Sequence, residues 1–291
     1  MKEYNNCLKA TAIGDFCGSA FTRVFRSKIS EDELFDDALL NFKGFRKNRL
    51  TECSVCTFAI AAAIMSGSFD YKYWLKRFCK KYSFFEYGDM FAEWLNGRKM
   101  INDGYGSWGS GGPMRCTPIA WYASTIEECD RLTEDSLQCT HNSVICNIAC
   151  KLLNKIIFMA KNGADKETLV NELYKILPQW KDITLDNYVE YFKNKNEKLN
   201  YSWYIKADNV VYIAIKCFEE SNCFEDAIKL AIQQGFDTNI EASITANIAY
   251  AYYKEIPSKY VDVINQVFTP EMELINDTFC NKFVNTHVEI S

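Results

Sequence analysis

The run Gly104-Tyr105-Gly106-Ser107-Trp108-Gly109-Ser110-Gly111-Gly112-Pro113-Met114-Arg115 holds five of the chain's thirteen glycines. Such density suits a backbone that must come close to something. Successive glycines can turn their amides through positive φ toward one point, an arrangement that binds phosphate or carboxylate oxygens. Ser107 and Ser110 add hydroxyl donors. A glycine-rich surface connection with a type II turn before Pro113 has the same composition, and both readings stand at this point. Two further stretches could do chemistry: Leu50-Thr51-Glu52-Cys53-Ser54, just before an alanine-rich segment, and Gly235-Phe236-Asp237-Thr238-Asn239. Glu52 and Asp237 could hold a hard cation or take a proton from water. Each stretch also has a structural use, for Thr51 can cap the helix it precedes and Thr238-x-x-Glu241 fits a capping box.

The elements that must position these groups are helical. Apolar residues recur at three- and four-residue spacing over Ser54 to Met65, Tyr71 to Tyr82, Asp89 to Asn96, Ser143 to Lys161, Lys166 to Leu177, Val210 to Glu219, Phe224 to Gln233 and Glu241 to Tyr253. Met114-Arg115 and Pro118 run into a further helical-looking segment, so the glycine loop precedes a helix start, where an anion site belongs. Strand-like alternation is scarce, and Gln179 to Tyr204 reads as an irregular aromatic excursion. With no low-complexity linker and no repeat, the pattern predicts one all-α domain over residues 1–291.

Composition excludes several classes. The chain is 48% apolar and 24% charged, with a formal net charge of -5, and it lacks the basic stripe that nucleic-acid backbones require. The clusters Lys43, Arg46, Lys47, Arg49 and Lys76, Arg77, Lys80, Lys81 read as solvated helix ends or loops. The apolar run Thr57 to Met65 is too short to span a bilayer. Thirteen scattered cysteines without an export pattern predict free thiols and a cytoplasmic location. Cys53-x-x-Cys56 has no partner pair to complete a zinc site.

Taken in order, the motifs resemble those of the ADP-ribosylglycohydrolase family, related to dinitrogenase-reductase-activating glycohydrolase. Gly14-Asp15-Phe16-Cys17-Gly18 matches the family's opening G-D-x-x-G-x-x-x-E, and Thr51 to Ser54 occupies the place of its T-D-D-T. Gly109 to Arg115 stands where the family has G-N-G-S-x-M-R, with Pro118 matching a proline downstream, and Thr140-His141 matches a later T-H pair. Gly235 to Ile240 falls on G-G-D-[ST]-D-T, so the resemblance covers about residues 8–255.

The resemblance implies an orthogonal all-α fold and a cleft holding ADP-ribose beside two Mg²⁺ or Mn²⁺ ions, where metal-activated water attacks the anomeric carbon. On this reading Trp108, Gly109, Ser110, Gly111, Gly112, Met114 and His141 line the ligand, Thr51, Glu52, Asp237 and Asn239 face the metal, and Glu52 and Asp237 act in catalysis. Trp108 and Arg115 could equally be core residues, and His141 a satisfied helix-start histidine. The metal positions depart from the family: Thr22 replaces a glutamate, Glu52 and Cys53 replace two aspartates, Asn239 replaces the bridging aspartate and Ile240 a threonine. Isoleucine cannot coordinate, and cysteine suits magnesium poorly. One ion or none is expected rather than two. The sequence therefore predicts a monomer that binds ADP-ribose or an ADP-ribosylated target, with hydrolysis weakened or lost. A divergent hydrolase using one ion or a carboxylate base, and a crystallin-like structural protein, are the alternatives.

Overall fold

Two helices with almost no solvent face organise the structure, a computed structural model that describes residues 4–24, 26, 48–83, 87–97, 103–195 and 197–285. α1 (Cys7–Ser19) is buried from Cys7 to Gly18, and α13 (Thr238–Tyr253) from Thr238 to Ala251. A helix apolar or small on every side belongs inside the protein. Their crossing is tight enough to demand glycine. A Cβ on Gly14 would lie 2.3 Å from the Ala242 carbonyl oxygen, and one on Gly18 would lie 2.3 Å from that of Thr238. The obstacle is backbone in both cases and cannot rotate away. Gly18→Ala is therefore expected to cost about 3 kcal/mol or more, at the upper end for overpacking, and a urea midpoint equal to wild type would refute this account of the crossing.

Around this pair run α2 (Glu52–Met65), α3 (Tyr71–Lys81), α4 (Asp89–Leu95), α5 (Pro113–Tyr122), α6 (Ile126–Leu137), α7 (Val144–Lys161) and α8 (Lys166–Ile176). The short helices α9 (Tyr188–Asn194) and α10 (Tyr201–Tyr204) lead into α11 (Ala207–Glu220) and α12 (Phe224–Gln233). After α13 follow α14 (Ser258–Val267), α15 (Pro270–Phe279) and a π-helical turn over Cys280–Val284. α13 packs on α1, α12, α11 and α7, while α2 lies between α3 and α5. Alanines along α2 permit that close approach, and Ala59, Ala61 and Ala63 are fully buried. The result is a single all-α domain with one continuous core. No helix among the described residues is long and apolar enough to cross a membrane.

The periodic segments all form helices, with bounds shifted by at most three residues. The stretch expected to be irregular instead holds a 3-10 turn at Pro178–Asp182 together with α9 and α10. Its aromatics close it: the rings of Tyr188 and Trp203 stack 6.2 Å apart. The second basic cluster lies on α3, where Lys81 pairs with Glu271 at 2.5 Å and the Lys76 ammonium sits 4.7 Å over the Trp94 ring. Of the first cluster, Lys43, Arg46 and Lys47 lie outside the described residues. The thirteen cysteines are thiols, all buried except Cys223.

Candidate functional site

The α1–α13 crossing sets Asp15, one residue past Gly14, against the start of α2. Its carboxylate accepts four hydrogen bonds there: from the Thr51 amide (2.7 Å) and hydroxyl (2.6 Å), and from the Ser54 amide (3.2 Å) and hydroxyl (2.6 Å). Asp15 thus caps a helix other than its own. Thr51 is also the local N-cap, its Oγ1 accepting from the Cys53 amide at 3.3 Å. Burial pushes the Asp15 carboxyl up to about 6, against the opposite pull of the bonds from Ser54 and Thr51. The motif reading named Asp15 but gave it no place in the site, and the only signal in the sequence was its position in the Gly14-Asp15 motif.

Asn239, in the first turn of α13, faces the same spot. Thr51 gives its only hydroxyl proton to Asp15, so its oxygen can only accept, and this fixes the orientation of the Asn239 amide. Nδ2 donates to Thr51 Oγ1 at 3.0 Å and to Cys53 Sγ at 3.4 Å, while Oδ1 accepts from Thr22 Oγ1 at 3.2 Å. Thr22, Thr51 and Cys53 are therefore each hydrogen bonded to Asn239. Ile240 is buried beside them. Among the described residues no group of three or more His, Cys, Asp or Glu side chains could hold a metal ion.

Two carboxylates flank this network. Asp237 occupies the N-cap position of α13 but makes no side-chain cap bond; it accepts from Ser110 Oγ at 3.1 Å instead. The capping box does not form either, because Thr238 lies inside the helix and donates to the Gly18 carbonyl at 2.7 Å. Burial raises the Asp237 carboxyl to about 6, opposed by the Ser110 bond and by Arg23. Glu52, half-buried in the first turn of α2, is pushed up to about 7 by burial and by the charges of Asp15 and Asp237. Carboxyls that titrate near neutrality can both take and give protons there.

The glycine loop closes the other side, and its glycines serve two purposes. Gly104 and Gly106 adopt φ of +70° and +69°, a conformation that favours glycine. Gly111 and Gly112 are small for packing: a Cβ on Gly111 would lie 2.6 Å from His141 Nε2, and one on Gly112 would lie 2.4 Å from Cys146 Sγ. Most of the loop's amides are already used. Gly104 donates to Cys139, Ser107 to Thr140, Gly106 to Asn142 and Ser110 to the Ile205 carbonyl at 2.7 Å. The Ala207 amide returns a bond to the Trp108 carbonyl, tying the loop to the α10–α11 connection. Among the described residues the amides of Tyr105, Trp108, Gly111 and Gly112 donate to no protein acceptor, and the last two lie just ahead of α5.

Below the loop lies a buried polar cluster. Arg115 is fully buried, giving Nη2–H to Thr140 Oγ1 at 2.6 Å, with Nη1 3.5 Å from His141 Nδ1. Burial and the Arg115 charge hold His141 well below the usual histidine range, so it is neutral. His141 supports Gly111 from beneath, and Met114 is buried with its sulfur 3.8 Å from Cys53. Trp108 differs, its side chain remaining 43% exposed beside Ser110.

The sequence profile of the ADP-ribosylglycohydrolase family matches residues 2–287. The chain belongs to that family. Its fold is similar to a solved structure described as an ADP-ribosylglycohydrolase-related protein complex, with a TM-score of 0.70 and 18% identity over 96% of this chain and 97% of that one. No curated protein matches the sequence. In this family member the motif residues are brought together: Asp15, Thr51, Glu52 and Asn239 meet at the starts of α2 and α13, and Ser110 joins them through Asp237. Met114, Arg115, Thr140 and His141 lie beneath as a supporting layer. Sequence reasoning also missed Arg23 and Tyr201, whose side chains meet at the edge of the site.

Proposed function

We propose that this family member binds ADP-ribose or an ADP-ribosylated target in the cleft between the starts of α2, α5 and α13, with metal-dependent hydrolysis of the glycosidic bond weakened or lost. One observation carries the second half of this reading: the Asn239 amide is spent on Thr51, Cys53 and Thr22. A divalent ion at that spot wants oxygen ligands. It would meet an amide NH2, a thiol, and a hydroxyl whose proton is committed to Asp15. The donor set fits two Mg²⁺ or Mn²⁺ ions poorly, and the Asp15 carboxylate is already engaged by four hydrogen bonds, three of them on Oδ2. Binding is supported by the family's motif order and by the Gly111 and Gly112 amides at the start of α5, since a helix N-terminus favours phosphate oxygens.

A second reading, slow hydrolysis without metal, is favoured by the raised carboxyls of Glu52 and Asp237. Either could take the proton of an attacking water near neutral pH. Calorimetric titration of ADP-ribose with and without Mg²⁺ or Mn²⁺ tests the first reading, with binding expected in both conditions and changing less than tenfold. Absence of binding in both would overturn it, and a larger metal effect would overturn the claim that the ion site is lost. Should release from ADP-ribosylated arginine, serine or DNA bases be detected, Asp237→Ala is expected to abolish it.

A further inference from the structure

Arg23 and Phe236 are bulky residues held in the left-handed region, with φ of +65° and +63°. Such strain persists only where neighbouring structure enforces it, and it gathers at ligand sites and clamps. Here the two residues enforce each other. The Arg23 amide donates to the Phe236 carbonyl at 2.5 Å, and the Phe236 amide donates to the Val24 carbonyl at 2.9 Å. The preceding Gly235, at φ of +81°, cannot be larger, because its Cβ would lie 2.6 Å from the Arg26 amide nitrogen. The Phe236 ring is committed elsewhere, stacked on Tyr204 with centroids 3.9 Å apart. This pairing clamps residues 22–24 onto the entry to α13. It points Thr22 at Asn239, and it leaves the exposed Arg23 side chain at the rim, hydrogen bonded to the Tyr201 hydroxyl and close enough to Asp237 to act on its charge.

The charge pattern there favours an anion. The bonds from Asn239 to Thr51 and from Ser110 to Asp237 bring the starts of α2, α5 and α13 close together, and each N-terminus carries roughly half a positive charge. Three carboxylates could repel an anion: Asp15 is enclosed by four donors, Asp237 is held by Ser110 with Arg23 nearby, and Glu52 is raised to about 7 by burial and the neighbouring charges, so it is partly protonated at neutral pH. Guanidinium presents a planar fork matched to phosphate oxygens, and a phenol beside it adds a donor.

The geometry points to Arg23, paired with Tyr201 at the rim, as the residue that grips the phosphate groups of the ligand and supplies the positive charge that a metal centre would otherwise bring to this cleft. The inference rests on the reading that the cleft takes a phosphate-bearing nucleotide, and it adds the group that recognises the phosphate. Arg23 immediately follows Thr22, which stands where the family motif has glutamate.

The full-length chain is titrated with ADP-ribose, with inorganic pyrophosphate and with uncharged adenosine, using wild type, Arg23→Ala, Arg23→Lys and Arg23→Gly. The alanine variant is expected to weaken ADP-ribose and pyrophosphate at least tenfold, lysine to recover part of the loss, and adenosine to be unaffected. The glycine variant relieves the left-handed strain and so controls for folding; it should melt no lower than wild type yet bind as weakly as alanine. ADP-ribose binding within twofold of wild type in Arg23→Ala overturns this inference and leaves the cleft assignment standing. Arg23-dependent binding of pyrophosphate by a wild-type chain that ignores ADP-ribose supports the inference and overturns the ADP-ribose assignment. Wild type that binds neither anion overturns both.

Discussion

Asp15→Ala is expected to lose about 3–5 kcal/mol of stability at neutral pH, and with it any binding in the cleft. Four donors converge on this carboxylate, two backbone amides and two hydroxyls, and alanine leaves all four without their acceptor. Hydrogen bonds to a charged group contribute roughly 1.5–3 kcal/mol each, and an orphaned buried donor costs about 1–3 kcal/mol. The opposing effect is relief of the cost of burying a charge. Its size is bounded by the carboxyl itself, which burial raises only to about 6 because the bonds from Ser54 and Thr51 recover much of the desolvation. The lost bonds therefore dominate. Asp15→Asn offers one oxygen and one NH2 to the same four donors, so it should be destabilised too, by less than alanine. Urea denaturation at pH 7 measures both, and a midpoint for alanine within error of wild type would show that α2 does not depend on Asp15. The same carboxylate orients Thr51, and through it Asn239, so binding should fail in the asparagine variant even under conditions where it remains folded.

This dependence explains which parts of the site were legible in the sequence. Helices with one apolar stripe, such as α7 and α12, declare themselves by period. α1 does not, because Lys9, Thr11, Gly14, Asp15 and Gly18 share a helix buried on every side, and burial on every side erases the 3.6-residue pattern. Periodicity starts α13 at Glu241, three residues late, and the capping box that Thr238 and Glu241 imitate puts the N-cap at Thr238, whereas in the structure Asp237 holds that position, bonded to Ser110, and Thr238 turns to Gly18. Asp15 acts on residues 36 and 39 positions away, beyond the reach of any local rule. The glycine loop was visible as a cluster, but the reason for Gly111 and Gly112 is the position of His141 and Cys146, which only the packing of α5 on α7 reveals. Arg23 and Phe236 gave no signal at all: positive φ at a non-glycine residue is imposed by the neighbours rather than requested by the side chain.

Glu241 is the clearest conflict between this sequence and its own core, and replacing it with leucine is expected to stabilise the protein by about 1–3 kcal/mol at pH 8. The side chain is fully buried one turn below Asp237, and neither carboxyl oxygen has a hydrogen-bond partner among the described residues. An unsatisfied buried polar group carries a penalty of that order, and leucine is close to glutamate in volume and needs no partner. Burial, and then the charge of Asp237, hold the Glu241 carboxyl well above the usual carboxylate range. The sign of the pH effect follows from linkage. A carboxyl whose folded pKa lies above its unfolded value near 4.5 adds no pH-dependent cost below that value, where both states are protonated and only the penalty of its unpartnered oxygens remains. As pH climbs, the unfolded chain ionises and the folded one cannot, so the stability contributed by the protonated group is lost up to the folded pKa. Asp15, Glu52 and Asp237, raised to about 6, 7 and 6, add to the same trend, so wild-type stability should fall between about pH 4 and pH 7. The advantage of Glu241→Leu should therefore be largest at pH 8 and shrink at pH 4 toward the penalty of the unpartnered oxygens and the packing difference. Paired urea titrations at the two pH values measure it. An equal advantage at both would mean that Glu241 ionises in the fold as easily as in the unfolded chain, and no advantage at either would mean that water satisfies its oxygens.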